Sequence, residues 1–200
     1  MILAIVNTKG GVTKTTSSMH VAVALSKFGP TAVLDADPQG SASDWAIGAE
    51  EGGRQLPFDV KVVNQRTLHR EANAYEHAVI DTPPGDPRTI DAAIAAADIV
   101  LVPTQASELD IKRVWPTLDA AAAAGKPVAV LLVKTRQNTL ALAAAVEAFE
   151  ASEIAVLETQ IPLREAIQNS YGTIPTELFG YDQVVADLMG VHSGIITESK

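Results

Sequence analysis

Cysteine is absent from this 200-residue chain. Disulfides and thiolate-held metal sites are therefore excluded. Aromatic residues make up only 4% of the chain against 47% hydrophobic residues overall, so a core has to be assembled from Ala, Val, Leu and Ile. No apolar run approaches the roughly 20 residues of a membrane-spanning helix. No leader-like segment is visible either, since Met1-Ile2-Leu3 runs straight into a strand pattern and a glycine turn. These absences lead to the expectation of a cytoplasmic protein. Positive charge is thin: residues 138–200 hold only Arg164 and Lys200 against nine acids, and the whole chain has a net charge of −9. Such a balance describes a solvated surface rather than a specific partner. His20, His69, His77 and His192 lack metal-ligand spacing, and no serine or histidine arrangement points to covalent catalysis. Trp45 and Trp115 read as packing residues. The length fits one domain, residues 1–200.

What is present is an alternation. Short apolar runs at 3–7, 32–35, 60–63, 78–81, 99–103, 128–133 and 155–157 read as strands, most of them continuous enough to be covered on both faces. Helical patterns at 15–28, 41–49, 66–74, 89–96, 116–124 and 140–151 lie between them, with a final helix at 183–189. The first helix stops at Gly29-Pro30. Pro116 either kinks a helix that begins near residue 108 or starts a new one. The expected fold is α/β: a doubly wound, mostly parallel sheet with helices on both faces.

Chemistry concentrates after the first strand, in Lys9-Gly10-Gly11-Val12-Thr13-Lys14-Thr15-Thr16. A buried strand, a glycine turn and a helix start leave outward-pointing N–H groups and a favourable dipole for an anion. Gly10 and Gly11 let the backbone wrap closely, Lys14 can reach outer phosphates, and the Thr15 hydroxyl can ligate Mg²⁺. Two later strand ends add carboxylates, where doubly wound sheets bind ligands. Asp35-Ala36-Asp37-Pro38-Gln39-Gly40 offers two aspartates in a forced loop, although an isolated pattern of this kind is as readily a solvated turn. Ala78-Val79-Ile80-Asp81-Thr82-Pro83-Pro84-Gly85 ends an apolar strand on one aspartate, the arrangement that faces Mg²⁺ in P-loop proteins.

Taken in order, these segments resemble the ParA/MinD family of deviant Walker A ATPases, whose loop usually reads K-G-G-x-G-K-T-T. Thr13 is the departure, standing where the family has glycine. D-x-D-P-Q-G and D-T-P-P resemble the family's two switch segments, and residues 98–104 and 160–166 resemble later family segments, so the likeness runs over roughly residues 2–175. The chain is similar to the compact, ParF-like type, without an N-terminal helix-turn-helix extension. The lack of cysteine sets it apart from the superfamily's iron–sulfur members.

The resemblance implies ATP and Mg²⁺ as cofactors and ATP hydrolysis as the activity. It implies catalytic roles for Lys9, Lys14 and Asp37, with Asp37 orienting the water and Asp35 supporting the loop. Thr15, Asp37 and Asp81 would form the metal set. Residues 9–16, Asp81 and Pro162 would contact the nucleotide, Pro162 over the adenine. The family's counterpart of Lys9 crosses a dimer interface to the partner subunit's nucleotide; a solvated lysine beside a turn is the lesser alternative for Lys9. The implied function is plasmid or chromosome partition by an ATP-dependent homodimer on non-specific DNA, stimulated by a ParB-like partner. The acidic charge opposes DNA binding, unless a dimer gathers Lys112, Arg113, Lys134 and Arg136. The alternatives are positioning of another cargo, a biosynthetic ligase acting on a small carboxylate, or a scaffold with turnover damaged by Thr13. A membrane role is not expected, because the tail at 190–200 is short and polar.

Overall fold

Leu3 and Ile5 contribute to one core cluster while Ala4 and Val6 contribute to another, the two-residue alternation of a strand covered on both faces. The computed structural model describes residues 1–198. In chain order the strands are β1 (Ile2–Ile5), β2 (Thr31–Asp35), β3 (Asp59–Val62), β4 (His77–Asp81), β5 (Ile99–Thr104), β6 (Val128–Thr135) and β7 (Ile161–Pro162). The helices are α1 (Lys14–Leu25), α2 (Ser41–Glu51), α3 (Leu68–Ala72), α4 (Pro87–Ala96), α5 (Glu108–Lys112), α6 (Trp115–Ala123), α7 (Leu140–Glu150), α8 (Glu165–Gln168) and α9 (Tyr181–Glu198). The strands form a seven-stranded sheet in the order β3-β2-β4-β1-β5-β6-β7, with every described pairing parallel. The doubly wound expectation is met.

Helices α1, α2 and α9 cover one face, where Met19, Leu25, Trp45, Tyr181, Val184 and Leu188 pack on Leu3, Val33, Val79 and Leu131. Helices α3, α4, α6 and α7 cover the other, with Leu68, Ile94, Leu118 and Phe149 packed on Leu34, Ile80, Val102 and Leu132. Trp45 is buried and its indole Nε1 donates to the Thr173 carbonyl at 2.7 Å, the role of a packing residue with its polar atom satisfied. Pro116 begins a new helix: α5 ends at Lys112 and Pro116 occupies the first turn of α6, where its missing N–H costs nothing.

Two expectations need correction. The strand at 155–157 is only an isolated bridge, Val130 to Val156. The far edge of the sheet is instead β7, two residues long. Glu158 and Thr159 interrupt the apolar run, and Pro162 has no N–H with which to extend the ladder. The final helix is also much longer than 183–189, because Tyr181, Val184, Val185 and Leu188 form a helical stripe that docks on α1. Of the 190–200 tail, residues 199 and 200 lie outside the described residues. Among the described residues, no helix is long and apolar enough to cross a membrane.

Candidate functional site

The order β2-β4-β1 puts three chemistry-bearing strand ends side by side, so the segments after β1, β2 and β4 converge at one edge of the sheet. The β1–α1 loop is fastened from beneath. Asn7, buried, donates through Nδ2 to the Pro103 carbonyl at 2.8 Å and accepts from the Lys9 amide at 2.8 Å. Thr82 donates to the Ile5 carbonyl at 2.8 Å, tying the β4 exit to the same strand. Pro84 packs near Gly10, 3.9 Å from where a Cβ would stand.

The loop turns through two left-handed residues, Gly11 at φ +77° and Thr13 at φ +62°. Thr13 is the residue before α1, yet its hydroxyl does not cap the helix; it donates to the Val12 carbonyl at 2.6 Å. The Ser17 amide donates to the Thr13 carbonyl at 2.8 Å as the helix begins, leaving the first-turn amides without helical partners. Nothing lies within 4 Å of a Cβ built on Gly11. An open glycine turn feeding an uncapped helix start is an anion cradle.

Lys14 is buried, and its Nζ donates to the Lys9 carbonyl at 3.0 Å. Burial holds this ammonium below its usual range, opposed by the nearby Asp81 and Asp37 carboxylates. Asp81 is fully buried. It accepts from Thr15 Oγ1 at 2.7 Å and from Ser18 Oγ at 3.1 Å. Burial pushes its carboxyl up to about 7; the Asp35 charge adds to the rise, while the two hydroxyls and Lys14 oppose it. Asp35 braces the next loop, accepting from the Ser43 amide at 2.9 Å, the Ser43 hydroxyl at 2.6 Å and the Asp37 amide at 3.2 Å. Asp37 holds its own turn through the Gln39 amide at 2.9 Å and is left partly exposed.

Lys9 pairs with Asp110 of α5. Asp110 also accepts from the Ser107 hydroxyl at 2.7 Å. Burial works against the charged form of Asp110, but Lys9 and Ser107 outweigh it and hold the carboxyl below its ordinary range. Pro162 lies with Thr13, Thr16, Lys134, Arg164 and Tyr181 around a cleft of about 30 Å³ beside the loop. A larger open cavity of about 800 Å³ lies at the other ends of β2 and β3, near Thr31 and Asp59, and holds none of these groups.

Thus residues 9–16, Asp37 and Asp81 come together, with Pro162 on the flank. The donor set around Thr15 and Asp81 is hard oxygen beside a cationic cradle, which suits a Mg²⁺–phosphate ligand. Among the described residues no cluster of three or more His, Cys, Asp or Glu could hold a metal without such a ligand. Sequence reasoning missed Asn7, Ser18 and Asp110. Asn7 and Ser18 sit in the motif's own loop and helix, so only their hydrogen bonds distinguish them; Asp110 lies 101 residues from Lys9 and carries no local signal.

The family model for the CobQ/CobB/MinD/ParA nucleotide binding domain matches residues 3–174. "Maintenance of carboxysome distribution protein A" of Gloeobacter kilaueensis is 38% identical over 175 residues, covering 85% of this chain and 77% of that protein. The "Chromosome-partitioning ATPase Soj" of Thermus thermophilus is 34% identical over 136 residues, 52% of this chain and 54% of that one. Among solved structures, the ATP complex of a McdA variant from Cyanothece superposes with a TM-score of 0.78 at 16% identity, covering 94% of this chain and 96% of that chain, a likeness of fold.

Proposed function

The chain belongs to the CobQ/CobB/MinD/ParA nucleotide-binding domain family, and on that premise we propose that it is a ParA-type ATPase that distributes a cargo other than a plasmid or chromosome. The observation that carries the ATPase reading is the convergence of Lys9, Lys14, Thr15, Asp37 and Asp81 on one uncapped helix start. What favours cargo positioning over partition is the relative named for carboxysome distribution, which is covered over 77% of its length, against 54% for the Soj relative. The cargo itself is not specified by these residues.

In this reading the loop amides and Lys14 bind the phosphate chain of ATP, and Thr15 and Asp81 hold Mg²⁺, with Asp37 beside them. When bound, Mg²⁺ supplies charge neutralisation on the phosphates. Lys14 leaves the Lys9 carbonyl for the phosphates, and its burial makes that exchange favourable because it gains an anionic partner. Asp37, anchored by Asp35 and its own turn, orients the attacking water. Lys9 acts across an ATP-bound homodimer, as the family resemblance implies. To do so it must leave Asp110, so the cis ion pair restrains it in the monomer. A partner protein that stimulates hydrolysis completes the cycle.

The test combines binding, turnover and imaging. The chain binds and slowly hydrolyses Mg–ATP, and Lys14→Ala abolishes both; a wild-type chain that binds no ATP refutes the proposal. Deleting the chain from its host disperses or clumps a protein cargo while plasmid and chromosome inheritance stay normal; the reverse result assigns partition. Random duplex DNA bound only with ATP, and released by salt, identifies DNA as the track. Binding in no state removes DNA from the proposal.

A further inference from the structure

Strand β6 is irregular at one residue. It pairs with β7 at Val133↔Ile161 and again at Thr135↔Pro162, so one extra residue, Lys134, is inserted in β6. Lys134 also has φ +52°, a left-handed conformation unusual for a residue with a long side chain. Bulges of this kind re-aim a side chain and gather at functional sites. Here the re-aimed side chain reaches the phosphate loop: Lys134 Nζ donates to the Gly11 carbonyl at 3.1 Å. Lys134 also borders the small cleft formed by Thr13, Thr16 and Pro162. Among the described residues, no carboxylate lies within ion-pair distance of it. The sequence offers Lys134, with Lys112, Arg113 and Arg136, as cations for a dimer to gather. In the single chain Lys112 pairs with Glu108 at 2.6 Å, and Lys134 Nζ rests on the loop.

We propose that Lys134 is a further phosphate-binding residue, whose ammonium exchanges the Gly11 carbonyl for oxygens of a bound nucleotide's phosphate chain. This rests on the nucleotide-binding reading above. The loop then holds cations on two sides, Lys14 from within α1 and Lys134 from the bulged strand. An ammonium resting on a neutral carbonyl gains more from a phosphate than it loses. Nucleotide binding therefore draws the end of β6 against the loop.

The experiment uses Lys134→Asn, which tolerates the left-handed backbone but removes the charge, Lys134→Gly as a second cation-free form, and Lys134→Arg. Each is titrated with a fluorescent ATP analogue, its ADP counterpart and adenosine, with Mg²⁺, at low and moderate salt. The expected result is binding of the ATP analogue about tenfold weaker in the Asn and Gly variants, as for a lost charge-assisted hydrogen bond. The loss is smaller for the ADP analogue and absent for adenosine, and Lys134→Arg recovers most of it. The KM for ATP rises with kcat little changed. Wild-type affinity in Lys134→Asn, alongside abolished binding in Lys14→Ala, overturns this role and leaves the ATPase reading standing. An equal loss for ATP and adenosine also overturns it, because the residue then braces the loop only. A wild-type chain without nucleotide affinity overturns both.

Discussion

Thr13→Gly tests the physical meaning of the loop's departure from the family pattern. Thr13 adopts φ +62°, where a β-branched side chain crowds its own backbone. Holding such a residue there costs about 2 kcal/mol. Glycine removes that cost but adds freedom to the unfolded chain, which takes back about 0.4–1 kcal/mol. The hydroxyl's bond to Val12 is local and half-exposed, so its loss is largely made good by water. The net expectation is a gain of about 1 kcal/mol, a rise in Tm of about 2–4 °C for a chain of this size. Gly11→Ala is the reciprocal experiment. Gly11 sits at φ +77° with nothing within 4 Å of an added Cβ, so the substitution changes backbone preference alone. It is expected to cost about 1 kcal/mol. Both variants are compared with the wild type by urea and thermal denaturation, in EDTA and without nucleotide. A Thr13→Gly protein less stable than the wild type, or a neutral Gly11→Ala, refutes the argument that the dihedral angle governs this loop.

Asp81 predicts a pH dependence of definite sign. Its carboxyl rises from 3.8 to about 7 in the folded chain, chiefly through burial, so the folded state holds the proton more tightly than the unfolded state. The stability this contributes is complete at low pH and is lost as pH climbs through about 7, a change of about 3 kcal/mol between about pH 5 and about pH 8. Urea denaturation of the nucleotide-free protein is expected to show that decline, and Asp81→Asn to lack it; parallel curves for the two refute the assignment. Asp110→Ala releases Lys9 and is expected to lower the protein concentration needed for ATP-dependent dimerisation about threefold or more, measured by analytical ultracentrifugation, with a stability cost of about 1 kcal/mol. Unchanged dimerisation would show that the Lys9–Asp110 pair restrains nothing.

Most of the fold could be read in the chain because its strands are continuous apolar runs set between strong stops. Asp35 and Asp81 end β2 and β4 where the hydrophobic runs end, whereas α1 stops at Leu25, short of the Gly29-Pro30 signal. Reading failed where an element depends on what covers it. The run at 155–157 has strand composition but meets β6 at only one bridge, and α9 continues past residue 189 because its buried stripe is docked on α1. Propensity cannot report either contact.

The sequence by itself determined the doubly wound order of elements and the cluster of phosphate-loop and acidic motifs. Hydrophobic period, glycine and proline are local signals that survive without neighbours. Only the tertiary structure decided the states of the charged groups. Burial raised Asp81, and packing of α5 against the loop joined Lys9 to Asp110 across 101 residues. A one-residue bulge at Lys134 accompanies the bond from its Nζ to the Gly11 carbonyl, 123 residues away. Charge depends on distance and solvent exposure in three dimensions, and neither is written in local sequence.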